Sequence, residues 1–322
     1  MIWDYYIYLA QNQQKQEKTE QKVTENLTSD SKNEKPLNLL LDTFILKHPH
    51  PHSESASKKA YFLGSYISKV QKMTLKDPGE FIEGSGLRPN FSDLPSQSWL
   101  GIQVDFELLT PWYSKDDRVF NTLILDNSVR KDRVFSTPFM SATSWKGLLR
   151  WACRMRTGLK EHFERGKNFK DWEDPDWILH LFGNEKGKGE DFHQGSLVFY
   201  PTWFDKIGFE VINPHDRKSR AGIHPIHYEV VPVGANGTLY LLYAPWPGMK
   251  HTVNVEESLL KLLEAIKILL TTYGISAKRT VGWGTAKIKK WKFFQKNRGH
   301  LEVTDQDPQQ EFQNWFKGGD GV

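Results

Sequence analysis

Residues 256–273 place Leu259, Leu262, Leu263, Ile266, Leu269, Leu270 and Tyr273 at unbroken three-four spacing. Such a run predicts a long helix with one face buried against a large apolar surface. Gly274 follows where a helix end favours a residue of positive φ. Residues 274–288 then read GISAKRTVGWGTAKI, and the lysine-rich strand pattern TAKIKKWKF overlaps and extends that stretch. Lys278 and Arg279 stand just ahead of Gly282, Trp283 and Gly284, although a plain turn needs one glycine at most. The segment has neither the Gly-Lys-Ser/Thr of a Walker loop nor a dinucleotide pattern. Two readings fit it. Either the glycines let the backbone approach a ligand whose phosphates Lys278 and Arg279 neutralise, or it is a helix-to-strand connection around a buried tryptophan.

Other elements build around this helix. WLGIQVDFELL puts Leu100, Ile102, Val104 and Phe106 on one strand face. SATSWKGLLRWACRMRT, residues 141–157, opens with the capping types Ser141, Thr143 and Ser144 and continues at helical period. Along it Lys146, Arg150 and Arg154 form one cationic stripe, while Leu148, Leu149, Ala152 and Met155 supply an apolar side. GSLVFYPTWF and GTLYLLYAPW read as strands. The order strand, helix, strands, helix, strand is that of an α+β, ferredoxin-like sandwich. The expected layout is a low-complexity, disordered arm over residues 1–36, an N-terminal extension packed on the core over 37–98, the α+β domain over 99–296, and a polar peripheral tail over 297–322.

Composition narrows the function classes. The single cysteine, Cys153, excludes an intrachain disulfide framework and a cysteine-cluster zinc site. The apolar opening MIWDYYIYLA is short, carries Asp4 and lacks a basic stretch, and no apolar run reaches the length of a membrane span. The expectation is a soluble, cytoplasmic protein. A net charge of +4 is compatible with a polyanion without demanding one. Twelve tryptophans are the stronger anomaly, because aromatic rings are either buried or used as stacking platforms.

Cations and acids each have a plain reading beside a functional one. Lys146, Arg150 and Arg154 are either a solvated helix face or, beside the free amides of a helix start, a phosphate contact. Arg217, Lys218 and Arg220 lie in NPHDRKSRAGIHPIHYE between strands, where they suit an RNA-clasping hairpin. His224 and His227 flank Pro225, and His48, His50 and His52 alternate with prolines; both sets read as extended segments rather than metal sites. Asp116, Asp117, Asp126 and Asp132 make the one set with catalytic character, although loop aspartates are usually turn formers or ion-pair partners.

The segments LILDNSVRKDRVFSTPFMSATSWKGLLR and ISAKRTVGWGTAKI resemble, in that order, the N-terminal signature and the C-terminal glycine-rich loop of the CRISPR RAMP superfamily. Ser141-Ala142-Thr143-Ser144 stands where that signature has Pro-Gly-Ser-Ser, and Trp145 replaces an aliphatic residue. LNLLLDTFI, NPHDRKSRAGIHPI and GISAKRTVGWG are similar to the sixth subunit of type III-B (Cmr) complexes. The acidic loop around Asp126 is closer to the repeated backbone subunits that cut target RNA. The resemblance implies an RRM-like core with an inserted thumb hairpin. It further implies a type III effector subunit of antiviral defence that contacts guide RNA phosphates through Ser144, Lys146, Gly147, Lys278, Arg279, Gly282, Trp283 and Gly284. Its implied partners are CRISPR guide RNA, target RNA and other RAMP subunits, with no membrane. It leaves two roles open: a scaffold, or an endoribonuclease in which Asp126, with Asp117 as the lesser candidate, works with Mg2+ or another divalent cation. A carbohydrate-active enzyme would account for the tryptophans but not for the two basic, glycine-flanked motifs.

Overall fold

The structure is a computed structural model, and it describes residues 64, 67, 68, 70, 75, 88–116, 127–132, 135–184, 194–214, 218, 225–246 and 253–318. All of them lie in the unit His48–Val322. The expected arm over residues 1–36 lies outside this set.

In chain order the elements are β1 (Leu100–Leu108), β2 (Phe139–Met140), α1 (Ala142–Arg156), α2 (Leu159–Glu164), α3 (Asp176–Phe182), β3 (Leu197–Phe199), β4 (Thr202–Trp203), β5 (Gly208–Ile212), β6 (Ile226–Val230), β7 (Asn236–Tyr243), α4 (Val255–Ile268), β8 (Ala286–Gln295), β9 (Gly299–Val303) and α5 (Gln309–Lys317). Among the described residues the main sheet has the order β3-β7-β1-β8-β9, and every neighbouring pair is antiparallel. The fold is therefore mixed α and β on an antiparallel sheet.

The alternation expected in β1 holds: Leu100, Ile102, Val104, Phe106 and Leu108 are all buried. On β8 the inward residues are Ile288, Trp291 and Phe293, three apart and then two. A register shift against β1 at Asp105/Phe106 absorbs the extra lysine, so Ile288 before it and Trp291 and Phe293 after it all face the core. Trp145, Leu149 and Ala152 of α1 and Leu259, Leu262, Leu263 and Ile266 of α4 cover that face. On the opposite face Phe91 and Leu94 pack on Tyr240 and Leu242. Gly101 makes room for this, because a Cβ there would lie 2.5 Å from the Phe91 ring.

Three expectations change. GSLVFYPTWF is two short strands in different sheets: β3 joins the main sheet, and β4 pairs with β2. Pro201 between them has no N–H to continue a ladder. The 256–273 helix stays α-helical only to Ile268 and ends in a π-helical turn, Leu269–Tyr273, closed by Gly274 N donating to Leu269 O at 2.8 Å. The tail over 297–322 is expected to be peripheral, but its described residues 297–318 complete the fold. Strand β9 extends the sheet beside β8, and Phe312 of α5 is fully buried with its ring 4.8 Å from that of Phe293. The residues between the apolar positions are polar, which disguises a single deep anchor in an otherwise solvated helix.

Candidate nucleic-acid interface

The start of α1 is built as anticipated. Ser141 caps it, its Oγ accepting from Ser144 N at 3.2 Å, and its hydroxyl also bonds those of Thr143 and Ser144 at 2.9 Å. The first turn holds no acidic residue, so the positive end of the helix dipole is not offset there. Trp145 is fully buried and anchors the start from below, donating Nε1–H to Thr202 Oγ1 at 2.9 Å. A Cβ at Gly147 would meet nothing within 4 Å, so the helix surface is open at that point.

The 274–284 loop folds onto the chain just after β1. Trp112 Nε1 donates to Ile275 O at 3.0 Å, Ala277 N donates to Tyr113 O at 2.8 Å, and Ser276 Oγ accepts from Tyr113 N at 3.0 Å and from Lys278 N at 3.2 Å. The glycines divide by role. A Cβ on Gly274 would lie 2.6 Å from Trp283 O, and one on Gly284 would overlap the Ser276 backbone. Both have positive φ and close the base of the loop. Gly284 is therefore buried packing, not the exposed phosphate surface expected of it. Gly282, also at positive φ, is exposed with open space where a Cβ would stand.

Both signatures meet at one open cleft of about 340 Å³. Ser141, Thr143, Ser144 and Gly147 form one wall and Ile275, Ser276, Ala277 and Arg279 the other, while Arg130 and Ser114 close the side. Among the described residues no carboxylate lines it. Arg279 stands over Trp151, its Cζ 4.4 Å from the ring centroid, and its Nη1 is buried without a hydrogen-bond partner. Burial holds its pKa below the ordinary arginine value. Lys278 Nζ stands 4.6 Å over the Tyr228 ring. Trp283 is half-buried and meets Tyr228 edge-on at 5.9 Å, so one side of its indole is spent on packing. Tyr113 completes that cluster, and burial, reinforced by Tyr228, pushes its hydroxyl up to about 12.

The cationic stripe on α1 does not survive as a unit. Arg150 and Arg154 both clamp Asp174, at 2.6–2.9 Å and 2.6–2.7 Å. Their side chains are 17% and 18% exposed and that of Asp174 is 3% exposed, so these cations serve the fold. Lys146 remains exposed at the cleft end of the stripe. Partial desolvation of its ammonium by the neighbouring protein, and then the Arg150 charge, hold its pKa below the ordinary lysine value.

The wall beside Arg130 is fixed by a buried ion pair. Lys131 Nζ reaches both oxygens of Glu229 at 2.6 and 2.7 Å, and Glu229 Oε2 also accepts from Val129 N at 3.1 Å. Arg130 N donates to Ser114 O at 2.7 Å and Asp116 N to Ser128 O at 3.1 Å. Asp117 and Asp126, and Arg217 and Arg220 of the basic segment, lie outside the described residues, as does His224. Lys218 is exposed at a turn, and His227 is exposed on β6. Among the described residues no group of three or more His, Cys, Asp or Glu is placed to hold a metal ion, and no helix is long and apolar enough to cross a membrane.

Residues 105–287, from β1 to the start of β8 and so including both walls of the cleft, match the family model of the RAMP superfamily. The chain belongs to the RAMP superfamily. The RAMP fold recurs in a chain of the type III-B Cmr-beta complex solved bound to cognate target RNA, with a TM-score of 0.51 at 14% identity over 74% of this chain and 75% of that one. A chain of the Csm3-Csm4 subcomplex of a type III-A CRISPR-Cas interference complex aligns at 16% identity over 69% of this chain and 96% of that one. Its TM-score of 0.39 is too low to bear on the fold. No curated protein matches this chain.

Reading the sequence missed Trp151, Arg130 and Asp174. Trp151 was within reach, since it lies seven residues beyond Ser144 on the same helical face. Asp174 was not, because the turn-like sequence DWEDPDW gives no local sign of which helix it will clamp.

Proposed function

We propose that this RAMP protein is a guide RNA-binding backbone subunit of a type III CRISPR effector in antiviral defence. One observation carries the reading. Two segments more than a hundred residues apart close a single cleft whose wall carries Arg130, Arg279, a serine- and threonine-capped helix start and, among the described residues, no carboxylate. Cations, hydroxyls and helix-start amides are what a sugar-phosphate backbone meets when it is held without regard to base sequence. The sheet order β8-β1-β7-β3, with helices after β1 and β7, supports a ferredoxin-like, RRM-like core. The β5–β6 hairpin is the candidate thumb, and exposed Lys218, at the turn between its strands, is the cation it would offer to the RNA. A fold neighbour solved with cognate target RNA supports target RNA and other RAMP subunits as partners.

The test is purification of the native complex with its neighbouring subunits. The reading expects short RNA with a common repeat-derived end, and affinity that falls with salt as counterions are released. An intact, stoichiometric complex free of RNA would refute it.

A second reading makes the same subunit an endoribonuclease, with Asp126 holding Mg2+ or another divalent cation and helping align a 2′-hydroxyl. It is favoured by where the ends of the acidic segment lie, since Ser114 and Arg130 belong to the cleft wall. Asp126→Asn, with Asp117→Asn as control, should remove one cut in magnesium while RNA binding stays intact. An unchanged cleavage ladder leaves the protein a scaffold.

A further inference from the structure

We propose that Trp151 is a positioning residue of this cleft: its indole holds the Arg279 guanidinium in one orientation, ready for a phosphate before RNA arrives. The inference rests on the reading of the cleft as an RNA contact.

Arginine side chains lose considerable rotamer freedom when they are fixed, and binding is weaker when that ordering happens on association. Elsewhere in this protein a carboxylate does the fixing, as Asp174 does for Arg150 and Arg154. Among the described residues no carboxylate pairs with Arg279. Its partner is the Trp151 ring at 4.4 Å, which attracts a cation through its negative face yet leaves the N–H edge of the guanidinium unspent. Nη1 fits this description, being buried and without a hydrogen-bond partner in a side chain that lines the cleft. A carboxylate at the same place would orient the arginine equally well but would cancel its charge and occupy its donors. An aromatic face orients without neutralising.

The indole is itself braced. Tyr273 packs edge-on against Trp151, at 4.8 Å between ring centroids and 69° between planes. Tyr273 comes from the π-helical turn Leu269–Tyr273, whose wider winding shifts it around the axis relative to an α-helical continuation. Trp151 lies one turn beyond Gly147, the helix position whose surface is open. Helix α1 thus contributes its capped start to one wall and, through Trp151, the brace for Arg279 on the other. Lys278 over Tyr228 looks similar but differs in kind, because an ammonium is a point charge with no plane to align.

The experiment measures binding of the full chain to a labelled single-stranded RNA of mixed sequence by anisotropy, across a salt series, with thermal melting of each variant alongside. Arg279→Ala should bind about tenfold more weakly and with a salt slope smaller by about 1, because one phosphate contact is gone. Trp151→Leu should lose about fivefold while keeping the wild-type salt slope, because the charge is present but no longer held. Trp151→Phe should recover most of that loss. Adding Trp151→Leu to Arg279→Ala should cost nothing more, since the indole acts through the guanidinium. Arg279→Lys, which needs no change in the surrounding packing, should bind several-fold more weakly than wild type with the slope kept. It keeps the proposal exposed if Trp151→Leu melts early. Wild-type affinity in Trp151→Leu or Arg279→Lys, with Arg279→Ala impaired, overturns the positioning role. Wild-type affinity and slope in Arg279→Ala overturn the RNA-contact reading of the cleft instead.

Discussion

Two pairs of cations sit on the two segments that wall the cleft, and the protein treats them in opposite ways. Arg150 and Arg154 share the carboxylate of Asp174, which also accepts from Trp172 Nε1 at 2.8 Å. Lys278 and Arg279 rest on the rings of Tyr228 and Trp151. The first pair is neutralised, so its charge goes into joining α1 to the segment before α3. The second pair keeps its charge, so its field reaches into the cleft. A row of basic residues is therefore a poor guide to a polyanion site until the partner of each is known. The main sheet repeats the point: Lys290 and Lys292 of β8 pair with Glu302, at 2.6 and 3.6 Å, and so add little free positive potential to that face.

The strongest test of this division lies in the loop that carries the second pair. Gly284→Ala combines a residue of positive φ with overlap on the Ser276 backbone, and should cost roughly 3 kcal/mol, read as a fall in melting temperature. RNA binding should disappear with it, because Lys278 and Arg279 lose their platform.

Asp174→Ala attacks the first pair. It should cost about 2–3 kcal/mol of stability, less than for a fully buried pair because both guanidiniums keep some solvent. Unlike Arg279→Ala, it should not weaken RNA binding once the protein is folded, and released cations should if anything steepen the salt slope. Weaker binding by folded Asp174→Ala would erase the distinction between the two pairs.

Gly282→Ala separates conformation from contact. Its φ of 83° costs a non-glycine residue about 1 kcal/mol, with no clash to add, and RNA affinity should stay within about threefold of wild type. Gly282→Asp, which places a negative charge on that open surface, should bind several-fold more weakly at the same melting temperature as the alanine variant.

The smallest effect is in acid. Burial works to raise the Asp174 pKa, but hydrogen bonds from Arg154, Trp172 and Arg150 outweigh it and hold the group below its ordinary value of 3.8. A carboxyl depressed by folding contributes stability that is present above that value and is lost as pH falls through the lower, folded one. Asp174→Asn should flatten the acid limb of the stability profile below about pH 4, with little change in its shape near neutrality. An unaltered acid limb would show that the clamp is not electrostatic.

Legibility followed sequence distance. The alternation of β1, the caps of α1 and the apolar line of α4 are local patterns, and each appears in the structure with its inward residues buried. The family was legible for the same reason, since each signature is a contiguous run. Single anchors were harder. Phe312 looks like one of three aromatics in a polar tail until β9 turns it back onto Phe293. Gly282 and Gly284 look equivalent in VGWG, yet one faces open space and the other the Ser276 backbone.

By itself, then, the sequence determined β1, α1, α4, β8 and the order in which they come, and the two basic, glycine-bearing segments, because backbone preference and apolar periodicity act over a few residues. Only the tertiary structure decided which cations are available. An arginine's charge is cancelled or kept according to what stands a few ångströms from it. For Arg154 that is Asp174, twenty residues on. For Arg279 it is Trp151, brought from the other wall of the cleft by the packing of α1.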